Sequence, residues 1–266
     1  MTFSLGYYDA MLGNIAAAGR NVFPVAEAIE LDDAGSATCC VLRHDVDRIP
    51  FRAVKMASLE RSHGVRATYY FRRSRSGFYP ASAIQDIASM GHEVGLHYET
   101  LSRCDGDVDR ALAGFRDDLA AFREIAPCVT VSMHGAPLSR HNNQDLAAYF
   151  DLTSLALRGD AVVHMRKFDP IYITDTGGAW NAGEGRNLRD VGGRAVADVP
   201  DLSTMKVAVP FLAGVEGLLY VSCHPERWPE TIAGRAQVYV TDKMVNLLKR
   251  SVVSTIGNGP KSRADR

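Results

Sequence analysis

No stretch of this chain approaches the roughly 18 consecutive apolar residues of a membrane-spanning helix. Its first residues, MTFSLGYYDAMLGNIAAAG, also lack the basic start and unbroken apolar core of a secretory leader. These absences predict a protein that works in the cytoplasm without a membrane partner. Blocks of like charge are missing too: 30 Lys and Arg stand scattered against 31 Asp and Glu, which excludes the basic footprint of a nucleic-acid binder. There is no CxxC pair. The five cysteines, Cys39, Cys40, Cys104, Cys128 and Cys223, are odd in number and dispersed, so neither a disulfide framework nor a zinc knuckle is expected. No internal repeat and no linker-like segment divides the chain.

What the chain does have is enough apolar residue, 46% of 266 positions, to bury one large core. Short β-branched or aromatic runs (CCVLRHDV, ATYYFRR, HEVGLHY, CVTVSMHG, DPIYITDT, GLLYVSCH) predict buried parallel strands. Longer amphipathic stretches lie between or after them: PFRAVKMASLERSHG, PASAIQDIASMG, DVDRALAGFRDDLAAFREIA and TDKMVNLLKRSVV predict helices. Such alternation predicts a (β/α) barrel or a doubly wound sheet, with the active site at the carboxyl ends of the strands. The boundaries expected are an N-terminal helical or loop segment over 1–36, the α/β domain over 37–255 and a disordered tail over 256–266. The glycine-rich, aperiodic stretch 176–200 reads as a long loop near the site.

Polar residues interrupt the apolar runs at strand ends. His44, Asp45 and Asp47 close one strand, His97 another, His134 a third and His224 a fourth. Residues two apart in a strand share a face, so Asp45 and Asp47 point together while His44 points away, towards packing or a supporting hydrogen bond. Two neighbouring carboxylates near a buried site are costly unless a cation or shared proton relieves them. Carboxylates and imidazoles at one rim form an inventory for a divalent ion with a position open for water.

The order RHDVD, ATYYF, GHEVGLH, SMHG, YVSCHPERW resembles the NodB-homology polysaccharide deacetylases, metal-dependent enzymes that remove N-acetyl groups from sugars, over roughly Cys39 to Trp228. The resemblance implies a distorted (β/α) barrel in a single domain, with Asp45 as general base, Asp47 and His97 as metal ligands and His224 as general acid. The second motif of that family carries a histidine four residues after the first, where this chain has Leu101; His134 is expected to supply the missing ligand, with Glu99 the other candidate. The implied cofactor is zinc, with cobalt, manganese, nickel or iron as alternatives. The implied partner is an N-acetylated carbohydrate or sugar precursor, with surface polysaccharide biosynthesis as the implied setting.

Other positions read more plainly. Asp175 and Trp180, in YITDTGGAW, form a candidate sugar subsite, the tryptophan stacking on a ring face or else anchoring a loop. FRRSR, residues 71–75, could meet a phosphate or carboxylate, or be a solvated charge run. His92 suits a structural role, and His63, His141 and His164 suit the surface. Three further functions stay open: hydrolysis of a small amide or cyclic imide, a non-catalytic carbohydrate-binding protein, and a non-haem iron oxygenase using two histidines and a carboxylate.

Overall fold

The computed structural model describes residues 3–31, 39–180, 189, 192–193, 202 and 204–257. Helix α1 (Leu5–Ala17) and strand β1 (Asn21–Phe23) lead into the short α2 (Val25–Ala28). Four strands then alternate with helices: β2 (Cys39–Val46), α3 (Pro50–Ser62), β3 (Thr68–Phe71), α4 (Ala81–Ser89), β4 (Glu93–Tyr98), α5 (Thr100–Arg103), α6 (Val108–Arg123) and β5 (Thr130–Met133). The remainder is β6 (Gly159–Asp160), β7 (Ile171–Thr174), α7 (Met205–Gly214), β8 (Leu219–Cys223) and α8 (Ile232–Gly257), with short 3-10 turns between.

All strand pairings are parallel, and the path runs β6-β5-β4-β3-β2-β8-β7 with β1 added beside the start of β2. Among the described residues no pairing joins β6 to β7, so the sheet is a curled half-barrel. The curl is visible in one side chain: Tyr220 on β8 donates its hydroxyl to the Ala161 carbonyl just past β6, 2.8 Å away across the interior.

Alternation along β2 sorts the two faces. Cys40, Leu42 and Val46 face outward into the core with Leu12 and Ile15 of α1 and Ala53 and Met56 of α3. Cys39 and Val41 face inward, into a second cluster with Tyr70, Tyr172 and Tyr220. Helix α2 stoppers the amino end of the barrel, its Val25 N–H donating to Thr68 Oγ1 (2.8 Å) and its Ala26 N–H to Glu93 Oε2 (2.9 Å). The carboxyl end is left for chemistry.

The first 36 residues do more than pack on the barrel, since Asn21–Phe23 is one of its strands. The last helix begins earlier than its sequence pattern indicates, at Ile232, and runs through Gly257. Residues 258–266, and most of the expected loop over 176–200, lie outside the described residues. Among the described residues no helix is long and apolar enough to cross a membrane.

Candidate metal centre and active site

Residues 43, 45 and 47 come from the inward face of β2 and its continuation. Arg43, 1% exposed, is a large charge to bury, and it is held by a two-pronged pair with Asp45, Nε to Oδ1 at 2.9 Å and Nη2 to Oδ2 at 2.5 Å. Burial works to raise the Asp45 pKa, yet Arg43 and then His97 outweigh it and hold the carboxyl below its ordinary value. Asp45 is therefore an ionised, fixed acceptor.

Strand β4 delivers His97 beside it. Its register with β3 sets Tyr70 opposite Gly95, and a Cβ at position 95 would stand 2.6 Å from both the Tyr70 ring and the Thr130 carbonyl. Glycine two residues before His97 thus lets three strands close at the rim. His97 donates Nδ1–H to the Ser132 carbonyl (3.1 Å), leaving the Nε2 lone pair free. That nitrogen lies 3.7 Å from Asp45 Oδ2 and 3.7 Å from Asp47 Oδ1. Burial drives the His97 pKa down to about 4 against the pull of the two carboxylates, so the ring is neutral at pH 7.

His134 follows β5. Its Nδ1 meets Glu99 Oε2 at 2.8 Å, and its Nε2 lies 3.7 Å from Asp47 Oδ1. Glu99 is gripped in turn by Arg72 at 2.9 Å. Asn143, fully buried, accepts the Ser102 N–H and donates to the His134 carbonyl (2.7 Å), fixing the turn after β5. Glu99 is thus the carboxylate that orients His134, while Leu101 packs into the core.

Asp47 Oδ1 is buried and has no hydrogen-bond partner. Its pKa is held below the ordinary carboxylate value, since the pull of His134 and then His97 on titration outweighs the burial that opposes its charge. Ligands at ~2.1 Å around a tetrahedral ion stand about 3.4 Å apart. The two 3.7 Å separations are a few tenths of an ångström wider than that, so among the described residues no three such side chains form a ready-made cage. The donor chemistry nevertheless fits a divalent ion: one orphaned carboxylate oxygen, two free imidazole Nε2 atoms, and an outer partner on each histidine's other nitrogen.

On the far side of the rim His224 follows β8. Its Nδ1–H and backbone N–H both donate to Asp175, at 2.6 and 2.9 Å. Burial and Arg227 pull the His224 pKa down, but Asp175 overcomes both and lifts it to about 9. Asp175 also accepts from Trp228 Nε1 (2.8 Å) and Arg227 (3.4 Å) and is fully buried. Every hydrogen bond shown for Asp175 is directed at the protein. Trp180 stands edge-on to Phe3 and Trp228, centroids 5.3 and 5.6 Å away, in an aromatic cluster that joins the N-terminal segment to the end of β8. That packing anchors the start of the loop, the second of the two roles expected for this tryptophan.

His44 and His92 point away from the rim. His44 Nε2 meets Glu60 at 2.7 Å, and His92 links the Ala67 N–H to the Ala57 carbonyl. The structural groups that sequence reading missed are Arg43, Asn143 and Arg227, whereas Arg72, in the FRRSR run singled out above, meets the Glu99 carboxylate. For Arg43 a signal existed: an arginine inside an otherwise apolar strand, two residues before an aspartate, shares that aspartate's face.

No family model and no curated protein matches the chain. Among solved structures it is similar to a CE4 esterase from Streptococcus mutans, at 12% identity and TM-score 0.47, over 88% of this chain and 89% of that one. It is also similar to a mutant CE4-family pseudoenzyme with restored enzymatic activity, at 13% identity and TM-score 0.38, over 80% of this chain and 62% of that one. The peptidoglycan deacetylase PdaC from Bacillus subtilis aligns at 16% identity and TM-score 0.35, over 83% of this chain and 99% of that one.

Proposed function

We propose that the chain is a divergent polysaccharide deacetylase, a metal-dependent hydrolase that removes an N-acyl group, acetyl first of all, from a carbohydrate or sugar precursor. The observation that carries this reading is the orphaned Asp47 Oδ1 with the Nε2 atoms of His97 and His134 each 3.7 Å from it. Asp47, His97 and His134 would hold the ion, and two nitrogens with one oxygen make zinc the first expectation. Bound there, the ion supplies polarisation of the acyl carbonyl and a lowered pKa for water.

The chain's own groups do the rest. Asp45, fixed by Arg43, accepts the proton of the attacking water at a carboxylate oxygen. His224 is protonated at neutral pH; with Nδ1–H committed to Asp175, its Nε2–H donates to the departing amine. Water is added across the C–N bond, and a carboxylate and a free amino sugar leave. A soluble precursor for surface polysaccharide fits a chain without a membrane-crossing helix among its described residues.

Elemental analysis of wild type beside His97→Ala and His134→Ala, with acetate release from N-acetylated sugars, tests the reading. The expected result is about one ion per wild-type chain, lost in both variants, and acetate release abolished by chelator. Wild type that takes up no zinc, or metal retained by His134→Ala, overturns the centre. Small amides and cyclic imides in the same panel expose a different substrate class.

A further inference from the structure

Beside the Glu99–His134 pair the rim opens into a cleft of about 430 Å³ that the reaction above leaves unused. Arg72, Arg73, Arg75 and Arg103 line it together with Ser74 and Ser102, and Glu99 is the single carboxylate among its lining residues. Its size falls within the range of about 300–1,000 Å³ typical of small-ligand sites.

A solvated charge run would leave its side chains loose, and these are not. Asp118, 1% exposed, lies behind the wall and holds Arg73 at 2.7 Å and Arg103 at 2.5 Å. Arg73 also donates Nε–H to the Gly77 carbonyl at 2.7 Å, closing the turn after β3. Arg72 is fixed on Glu99, and its Nε is buried with no partner. Arg75 stands exposed at the mouth. Three guanidinium groups are thus pre-oriented beside the exposed Arg75, with Ser74, Ser102 and Ser139 also on the lining.

One carboxylate saturates one guanidinium fork, whereas a phosphoryl group carries close to two charges and three acceptor oxygens. Glu99 and Asp118 offset two of the four guanidinium charges, and the net charge of about +2 that remains matches the second. Through Glu99 the cleft shares a wall with His134, close enough for one ligand to reach both the cleft and the rim. We propose that this cleft is a phosphoryl subsite, and that the N-acylated substrate is a sugar phosphate or sugar nucleotide in place of a neutral polymer. The proposal rests on the deacetylase reading for the acyl group but not for the anion.

Calorimetric titration of the full chain with N-acetylglucosamine 1-phosphate, N-acetylglucosamine and glucuronate tests it, with acetate release followed in parallel. The phosphorylated sugar should bind about tenfold or more tightly than the neutral one, and Arg75→Glu should remove about tenfold of that affinity. The same variant should leave neutral-sugar binding and the melting temperature unchanged. Equal affinity for the two sugars in wild type overturns the subsite whatever the variants do, as does an unaltered phosphate affinity in Arg75→Glu. Tighter binding of glucuronate overturns the phosphoryl assignment. Phosphate-selective binding without acetate release overturns the deacetylase reading and leaves the subsite standing; acetate release without phosphate preference does the reverse.

Discussion

At the residue scale, the Asp175–His224 pair shows how one carboxylate sets the working state of an imidazole. His224 is buried, which alone would strip its proton, and Asp175 reverses the sign and lifts its pKa to about 9. A general acid must hold its proton in the reacting form, so activity that depends on His224 falls as pH rises through that value. Asp175→Asn keeps the shape and removes the charge. Its expected effect is a kcat lower by about 10²–10⁴-fold, with the alkaline limb of the pH–rate profile moved to lower pH. An unmoved alkaline limb would separate His224 from proton donation. The sequence made His224 legible as a polar residue ending an apolar run. It could not show that Asp175 pairs with His224, because a carboxylate at a strand end reads the same whether it faces substrate or its neighbour on the next strand.

At the scale of elements, β4 is where packing and chemistry meet. Gly95→Ala would drive a methyl group against the Thr130 carbonyl and the Tyr70 ring, neither of which can swing away. Overpacking of this kind costs about 1–3 kcal/mol. Because His97 lies two residues on, on the same face, a displaced β4 should also lower metal affinity, readable by zinc titration; unchanged affinity would uncouple the glycine from the site. On the outer face, Glu60 of α3 accepts from Tyr69 (2.6 Å) and Tyr8 and contacts His44, tying two helices and two strands together with no exposed atom. Burial opposes its charge, but His44 and the phenol bonds carry its pKa below the ordinary 4.5, so its stabilisation is present above that value and is lost as pH falls. His92, lowered by burial from 6.5, has the same sign: the unfolded chain takes its proton first on acidification. Urea midpoints should therefore fall from about pH 6.5 downward, and further below 4.5. Glu60→Gln should cost about 3 kcal/mol at pH 7 and flatten the lower part of that decline. An undiminished acid limb in the variant would remove Glu60 as its source.

Element type was legible wherever a run was long enough to carry a period. CCVLRHDV coincides with β2, and four crossover or terminal helices lie where apolar spacing put them. Strands β1 and β6, three and two residues long, carry no period at all, and Gly159–Asp160 reads as a turn. Helix α7 contains Pro210, an ordinary helix breaker, so its pattern argued against itself.

For the whole molecule, the question is what keeps a half-barrel curled when no pairing joins β6 to β7 among the described residues. Short-range patterns cannot answer it, since the tie joins residues far apart in sequence. The bond from Tyr220 to the Ala161 carbonyl spans from β8 to the end of β6, with Tyr172 and Tyr70 packed in the same inner cluster. Removing that hydroxyl leaves a carbonyl without its donor in a site that excludes water, a loss of about 1–3 kcal/mol. Tyr220→Phe keeps the ring, so its cost separates the hydroxyl, which faces Arg43 as well as the Ala161 carbonyl, from the packing. The variant should lower the urea midpoint by that amount while zinc content stays at the wild-type level, because Tyr220 lies below the rim, two residues before Ser222 and four before His224 on β8. Lost metal at unchanged stability would mean that the interior tie shapes the rim instead of the barrel.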